Sequence, residues 1–470
     1  MARTTNDRAT TMSTDAPLFD ALRAALPGDA LLVAESDRLA YGSDNSRREA
    51  LPDAVALPST IEQVVALVRA CRTTRTPLVA RGRGTNTTGA TVPVAGGVVV
   101  SFERMDRIVE IAPDDRLAVV EPGLTNGALQ RAVAAHGFFW APDPTSADYA
   151  TVGGNLACNA GGPRAVKYGA CRDNVLGLVA VTGAGEVIRT GSRTTKGAVG
   201  YDLTRLLVGS EGTLALIVEA TLKLTPLPAA RRTLRACYAS VAAAARAVAR
   251  VMAQPATPCA LEFMDGRAVA LVAARGVALP AGTGALLLIE ADGDPESIGA
   301  AVDAIARAAT VDGLIAIERA DDEAAFAALW AARKALSPAL RELAPVKINE
   351  DVVVPVSKLP ALVDSLEALS AETGIPIVNF GHAGNGNLHV NLMVDPADPR
   401  QAAAAPDALA RVFERVLALG GTLSGEHGIG LAKRDFLPRA IDPPTLTLMR
   451  AIRRDFDPDG ILNPGKLLPA

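Results

Sequence analysis

Short apolar runs broken by glycine-rich turns fill the chain from about Leu51 to Pro226: AVALP, PLVARG, GVVVSF, LAVVEPG, VLGLVAV and GTLALIVEATLKL. Only a few helical stretches interrupt them, RAVAAHGFF among these, so this part predicts an α+β domain crowded with loops that expose backbone. A TPLP break at residues 225–228 changes the texture. Beyond it, strands (RTLRACYA, CALEFMD, GALLLIEAD, GLIAIERA) alternate with Ala-rich helices (SVAAAARAVARVMAQ and one starting near Pro295). That alternation predicts an antiparallel sheet covered by helices, a separate cap domain. Helices are also expected near 324–343 and 359–373, with strands at INEDVVVP, IPIVNF and NLHVNLMV. The closing segment, ending in FDPDGILNPGKLL, is turn-rich and is expected to pack back on the first domain. The expected division is a leader with a helical segment over 1–50, a first domain over 51–228, the cap over 229–435, and a returning segment over 436–470.

Composition narrows the classes. A chain of 470 residues with 49% hydrophobic content can bury two or three cores. A net charge of -4 supplies no basic field for nucleic acid or an anionic membrane, so an anionic substrate must be met by a few local cations. The five cysteines, Cys71, Cys158, Cys171, Cys237 and Cys259, lie too far apart for a zinc or iron–sulfur motif and read as small buried hydrophobes of a reducing compartment. No stretch approaches a membrane span, and the N-terminus lacks the apolar core of a signal peptide. It reads as a disordered leader, with Met12 an alternative start. A cytoplasmic protein follows, with peripheral attachment to the inner membrane left open.

Three segments of the first domain carry candidate chemistry. RGRGTNTTG at 81–89 follows an apolar strand, and its glycines let backbone N–H groups approach phosphate oxygens. It opens no GxGxxG helix and lacks the P-loop lysine, so the same run also suits a tight turn. PTSADYATVGGNLACNAGG at 144–162 cannot pack a core by itself. It suits backbone passing beside a large flat ligand, with Thr145, Ser146, Thr151 and Asn155 available for hydrogen bonds. VGSEGTL at 208–214 forms a turn before a strand.

Three of the four histidines stand in the cap, beside glycine-rich turns. NFGHAGNGNLHVN at 379–391 joins two strands through a GNGN turn that lets His382 and His389 converge, with Asn391 on the face of His389. SGEHGIG at 424–430 adds Glu426 and His427. Two imidazoles and a carboxylate suit zinc, with manganese or cobalt as alternatives, although a purely structural turn could use the same residues. Neighbours in an extended turn point to different sides, so Glu426 and His427 are expected to diverge. His136, the remaining histidine, reads as a helix-end residue complementing the dipole.

Together the first three segments resemble the PCMH-type FAD-binding domain of the vanillyl-alcohol oxidase and p-cresol methylhydroxylase superfamily. The resemblance implies that Arg81, Gly82, Gly84, Thr85, Asn86, Thr87 and Gly89 wrap the FAD pyrophosphate. It implies that Pro144, Thr145, Ser146, Thr151, Gly153, Gly154, Asn155, Ala160, Gly161 and Gly162 line the cofactor, with Glu211, Gly212 and Ile217. Many members link the flavin to a histidine near the first loop, but none precedes His136 here, so non-covalent FAD is expected.

The cap clusters resemble the C-terminal domain of D-lactate dehydrogenases, D-2-hydroxyglutarate dehydrogenases and the glycolate oxidase flavin subunit, and LNPGK, with Asn463 on the cofactor side, extends the likeness to the end of the chain. This implies that His382, His389 and Glu426 bind a divalent metal, zinc in most relatives, that Asn391 supports the site on the substrate side, and that His427 is the base. In WAARKALS, Arg333 stands where relatives hold the substrate carboxylate, and Lys347 is a second cation. A solvated helix face would use either cation as well. The implied activity is oxidation of a small D-2-hydroxy acid, D-lactate or related, with electrons leaving to a quinone, an electron-transfer flavoprotein, a cytochrome or an iron–sulfur subunit. A homodimer remains open. The competing readings are another FAD-dependent alcohol oxidase of the superfamily and a non-catalytic flavin subunit of a larger complex.

Overall fold

The computed structural model describes residues 16–320 and 322–469; most of the expected leader lies outside them. In the first domain a four-stranded sheet runs in the order Leu31–Leu32, Ala54–Ala56, Val98–Ser101, Leu78–Arg81, its last three strands parallel. Helices Ala16–Ala25 and Ile61–Thr74 cover it. The second of these starts where the Thr60 hydroxyl accepts the Gln63 N–H and stops at Arg75, which turns left-handed. A five-stranded antiparallel sheet follows: Ile108–Ala112, Leu117–Val120, Ala215–Lys223, Val175–Thr182, Val187–Gly191. Its Val179, Val181, Leu216 and Val218 share one core with the first sheet, while its other face packs on helices Asn126–Ala134 and Val152–Cys158.

The cap is a seven-stranded sheet in the order Leu314–Ala320, Ala230–Tyr238, Ala285–Gly293, Ala260–Met264, Ile377–His382, Asn387–Val394, Val346–Val353, every neighbouring pair antiparallel. Helices Val241–Met252, Ile298–Ala309, Leu359–Thr373 and Pro399–Ala418 bury their apolar stripes on one face. Gly266–Ala274 and Glu323–Leu343 pack on the other. The chain then returns. Helix Pro443–Phe456 lays Ile452 and Phe456 on the first domain. Leu462 pairs in parallel with Leu78, and the Asn463 N–H donates to the Leu78 carbonyl at 2.7 Å.

Several elements were not expected from the pattern, three longer helices and two edge strands among them. Gly266–Ala274 is a short apolar run, Pro399–Ala418 contains Pro406, and Pro443–Phe456 opens on two prolines that suit a first turn but read as a break. Ile108–Ala112 and Val187–Gly191 are edge strands with half-exposed residues, so they lack an apolar run. No described helix is long and apolar enough to cross a membrane.

The returning tail buries Lys466 completely, its Nζ donating to the Val92 carbonyl at 2.6 Å and to Asn463 Oδ1 at 3.2 Å. Burial pulls this lysine down to about 8 despite the opposing pull of Asp44 and Glu211. Between that value and the ordinary lysine range near ~10.4, the unfolded chain binds more protons than the folded one, so this group makes stability rise with pH. Below the folded value its full cost is present. Urea unfolding at pH 7 and pH 9.5 should therefore show wild type gaining stability relative to Lys466→Met at the higher pH; parallel behaviour of the two proteins would contradict this.

Candidate active site

A cleft of about 400 Å³ opens where the three segments of the first domain meet the cap. From residues 81–89 it is lined by Arg81, Gly82, Gly84, Thr85, Asn86 and Thr87. Arg81 is buried and braces the loop from beneath, donating to the carbonyls of Ser43 at 2.7 Å and Ala40 at 3.1 Å. Gly89 lies outside the cleft, against Arg48 and Leu431. The Thr87 hydroxyl is buried with no partner among the described residues.

The second segment contributes Pro144, Thr145, Ser146, Thr151, Gly153, Gly154, Asn155 and Ala160, and the third Glu211, Gly212 and Ile217. Thr151 caps helix Val152–Cys158 by accepting the Gly154 N–H at 3.1 Å. Asn155 accepts from Asn126, which continues a chain of buried amides to Gln130. Gly161 and Gly162 do not line the cleft. A Cβ on Gly161 would sit 3.1 Å from Glu426 Oε2, so this glycine lets the cap approach. Asn463 is also displaced from its expected role: its amide donates to the carbonyls of Ala90 and Glu211 and holds the cofactor segments together from behind.

The far wall is His389, Glu426 and His427. His382 and His389 stand on adjacent strands of the cap sheet, and residues 424–430 bring Glu426 against them. Glu426 Oε1 lies 3.5 Å from His382 Nε2 and 3.6 Å from His389 Nε2, and the three donor atoms lie within 4.8 Å of one another. Glu426 and His427 do not diverge as expected. The His427 ring stacks on that of His389 at 5.4 Å, and its Nε2 comes 4.0 Å from Glu426 Oε1. The loop is a tight nest rather than an extended strand, so alternation does not apply.

That nest forms because Asp351, wholly buried, accepts the backbone N–H groups of Gly425, Glu426 and His427 at 2.8, 2.6 and 3.0 Å, with Ser424 Oγ and Lys433 Nζ. Burial alone would raise this carboxyl; His427 and Lys433 beside it hold it well below the carboxylate range. The Nδ1 of His427 faces it at 3.5 Å. From the first domain, Glu211 accepts the N–H groups of Ile429 at 2.6 Å and Gly430 at 2.8 Å. A Cβ on Gly428 would lie 2.6 Å from the Glu211 carboxylate, so no larger residue fits.

Glu262, not foreseen from the sequence, braces the donor set from behind. It hydrogen-bonds His382 Nδ1, leaving Nε2 for the cluster, and accepts from Arg333 Nε at 3.0 Å. Burial opposes its charge, but His382 and Arg333 hold it ionised. Burial likewise opposes protonation of His382, yet Glu262 and Glu426 raise it to about 10. Burial and the neighbouring His382 lower His389 to about 3. Despite burial, His382 and His389 lower Glu426 to about 2. When an incoming cation displaces the His382 Nε2 proton, these two imidazoles and a carboxylate make the donor set a divalent cation needs.

The cations divide. Arg333 lies over the Phe380 ring at 4.8 Å and is anchored by Nε alone, with no hydrogen bond from its terminal nitrogens to a described residue. Lys347 sits on edge strand Val346–Val353 without an ion pair among the described residues. Asn391 is fully buried, bonded to the Val378 and His389 carbonyls and to Asn349, and so steadies His389 rather than facing the cleft. A lone Glu inside apolar CALEFMD and the acidic pair in INEDVVVP were the available signals for Glu262 and Asp351.

A flavin cleft closed by a histidine-bearing cap defines a flavin-dependent oxidoreductase, and the comparisons agree. The FAD binding domain family matches residues 52–191, and the family of FAD linked oxidases, C-terminal domain, matches residues 227–467. The chain is 39% identical to a glycolate oxidase subunit GlcD of Bacillus subtilis, over 92% of each protein. It is 34% identical to a D-2-hydroxyglutarate dehydrogenase of Stutzerimonas stutzeri, over 97% of this chain and all of that one. It is also 34% identical to a D-lactate dehydrogenase of Anaerostipes hadrus, over 89% of this chain and 90% of that one. The solved structure of p-cresol methylhydroxylase superposes with a TM-score of 0.80 over 97% of each chain at 17% identity, which speaks for the shared fold. The chain belongs to the FAD-linked oxidase family and is an FAD-dependent oxidoreductase. The orphaned Thr87 hydroxyl and the backbone-rich cleft walls fit that cofactor.

The two glycines whose added Cβ would face Thr151 should respond differently. A Cβ on Gly82 would drive into Thr151 Oγ1 and disrupt its cap, whereas one on Gly154 would meet only that oxygen, at 3.2 Å, inside a helix. FAD titration should show Gly82→Ala weakening binding by at least about tenfold, the loss of ~1.4 kcal/mol or more, with Gly154→Ala close to wild type. Equal binding by both variants would refute the packing argument.

Proposed function

We propose that the chain oxidises a D-2-hydroxy acid, D-lactate or a close relative, to the 2-oxo acid, using FAD held without a covalent link. The observation that carries this reading is that His389, Glu426 and His427 form one wall of the cleft whose other walls are the cofactor segments. The relatives named for glycolate, D-lactate and D-2-hydroxyglutarate all act on 2-hydroxy acids, which supports that substrate class.

FAD, when bound, supplies the acceptor for a hydride from the substrate carbon. His427 takes the hydroxyl proton at Nε2, with Nδ1 facing the Asp351 carboxylate at 3.5 Å. His382, His389 and Glu426 would hold a divalent cation, zinc before manganese or cobalt, whose chemistry is Lewis-acid polarisation of the hydroxyl. Arg333 holds the carboxylate through its unengaged terminal nitrogens, and Lys347 adds long-range attraction. Electrons then leave to an external acceptor, a quinone, an electron-transfer flavoprotein, a cytochrome or an iron–sulfur subunit, because the scattered cysteines suit no cluster.

Purified protein should be yellow and release its flavin on acid precipitation; flavin retained on the polypeptide would refute the non-covalent assignment. Dye-linked assays with D- and L-lactate, glycolate, D-2-hydroxyglutarate and larger D-2-hydroxy acids should single out one or more D-acids. His427→Asn should keep FAD and metal while turnover falls ~10²- to 10⁴-fold, whereas His382→Ala should lose the metal, measured by elemental analysis, together with activity. Near wild-type turnover in His427→Asn would remove the base, and chelator-resistant activity in His382→Ala would remove the metal.

A further inference from the structure

We infer that Asn86 is a positioning residue for His427, fastening the base-bearing loop of the cap to the loop that wraps the cofactor. The inference rests on the reading of His427 as the base. Asn86 was expected to contact FAD, but its side chain is fully engaged within the protein. Its Oδ1 accepts from the Thr88 N–H at 2.9 Å, the Thr88 hydroxyl at 2.8 Å and the Ala90 N–H at 3.1 Å. These donors fix which end of the amide is oxygen. Its Nδ2 therefore points the other way and donates to the His427 carbonyl at 2.9 Å and, weakly, to Cys158 Sγ at 3.5 Å. An amide offers two donors and two acceptor sites, so none is left for a ligand.

Thr88 is no substitute for this bond. Its hydroxyl lies 3.4 Å from the His427 carbonyl but 2.8 Å from Asn86 Oδ1, and its single proton goes to the nearer acceptor. The Thr88 carbonyl instead receives the N–H groups of Leu431 and Ala432, further along the same loop. The peptide carrying His427 is thus held from the cap by Asp351 and from the first domain by Asn86. Thr87, between Asn86 and Thr88, lines the cleft, and its buried hydroxyl has no partner among the described residues. Thr87 in the cleft wall and Asn86 against His427 are neighbours in one turn but serve different partners, so each can be altered by itself.

Asn86→Asp tests this with the least disturbance. The carboxylate keeps an oxygen for Thr88 and Ala90, and so keeps the turn, but loses the donor and sets an oxygen against the His427 carbonyl. In the FAD-loaded variant, amide hydrogen exchange over 424–431 should rise while exchange over 144–162 stays at wild-type rates. With a substrate from the panel, kcat should fall ~10- to 100-fold, as for a misplacement near 1 Å, with KM within about twofold and FAD stoichiometric. Thr87→Val should do the converse, weakening FAD while leaving exchange over 424–431 unchanged. Unchanged exchange over 424–431 in Asn86→Asp, or a loss of activity that follows loss of FAD, overturns the inference. A rise in exchange in a protein whose wild type turns over no hydroxy acid would instead remove the functional reading and leave the fastening in place.

Discussion

Five backbone N–H groups in one short loop, shared between two buried carboxylates from different domains, are what the rest of the site depends on. Asp351 takes three of them from the cap side and Glu211 takes two from the cofactor side. Neither carboxylate could be buried without such donors, and the loop could not hold its tight shape without acceptors for successive amides. Lys433, itself buried, balances Asp351 and also reaches Glu350 at 3.4 Å. The side chains of Glu426 and His427 are consequences of this clamp. They emerge from backbone whose position is fixed before any substrate arrives.

The same logic repeats one layer out. Glu262 sits on a central strand of the cap sheet, and it orients His382 through Nδ1 while Arg333 shields its charge. Asn391 does the equivalent for His389, its amide bonded to Val378 and Asn349 on the neighbouring strands and to the His389 carbonyl on its own. The reacting groups therefore stand on sheet and clamp rather than on free loops. The cofactor walls, by contrast, are mainly turns and one short helix, shaped by glycine and by capping hydroxyls. Precision is concentrated in the cap, and permissive close approach in the first domain.

How much of this was legible in the sequence follows from that contrast. Apolar runs marked the strands of both domains because buried strands must be apolar, and glycine and hydroxyl clusters marked the cofactor walls because little else tolerates such close packing. The histidines and Glu426 stood out because histidine is scarce in this chain. What stayed hidden were residues whose role depends on partners far along the chain. Asn86 reads as part of a phosphate loop until its partner 341 positions away is known. Glu262 and Asp351 read as ordinary acidic residues in strands until the fold sets them beside His382 and the 424–430 loop. Edge strands were missed because they present no apolar run, and the helix through Pro406 because an internal proline reads as a break.

Leu462 beside Leu78 makes the cap an excursion between two parts of a single core. During synthesis the first domain therefore leaves the ribosome with an open edge at Leu78 and unfilled hydrogen-bond acceptors at Ala90, Val92 and Glu211, and waits for the whole cap to be made. The cap, whose sheet and helices come from one contiguous stretch, can fold on its own schedule while that edge stays exposed. The cofactor domain, although its residues are made first, is completed last, sealed by the tail that follows the cap.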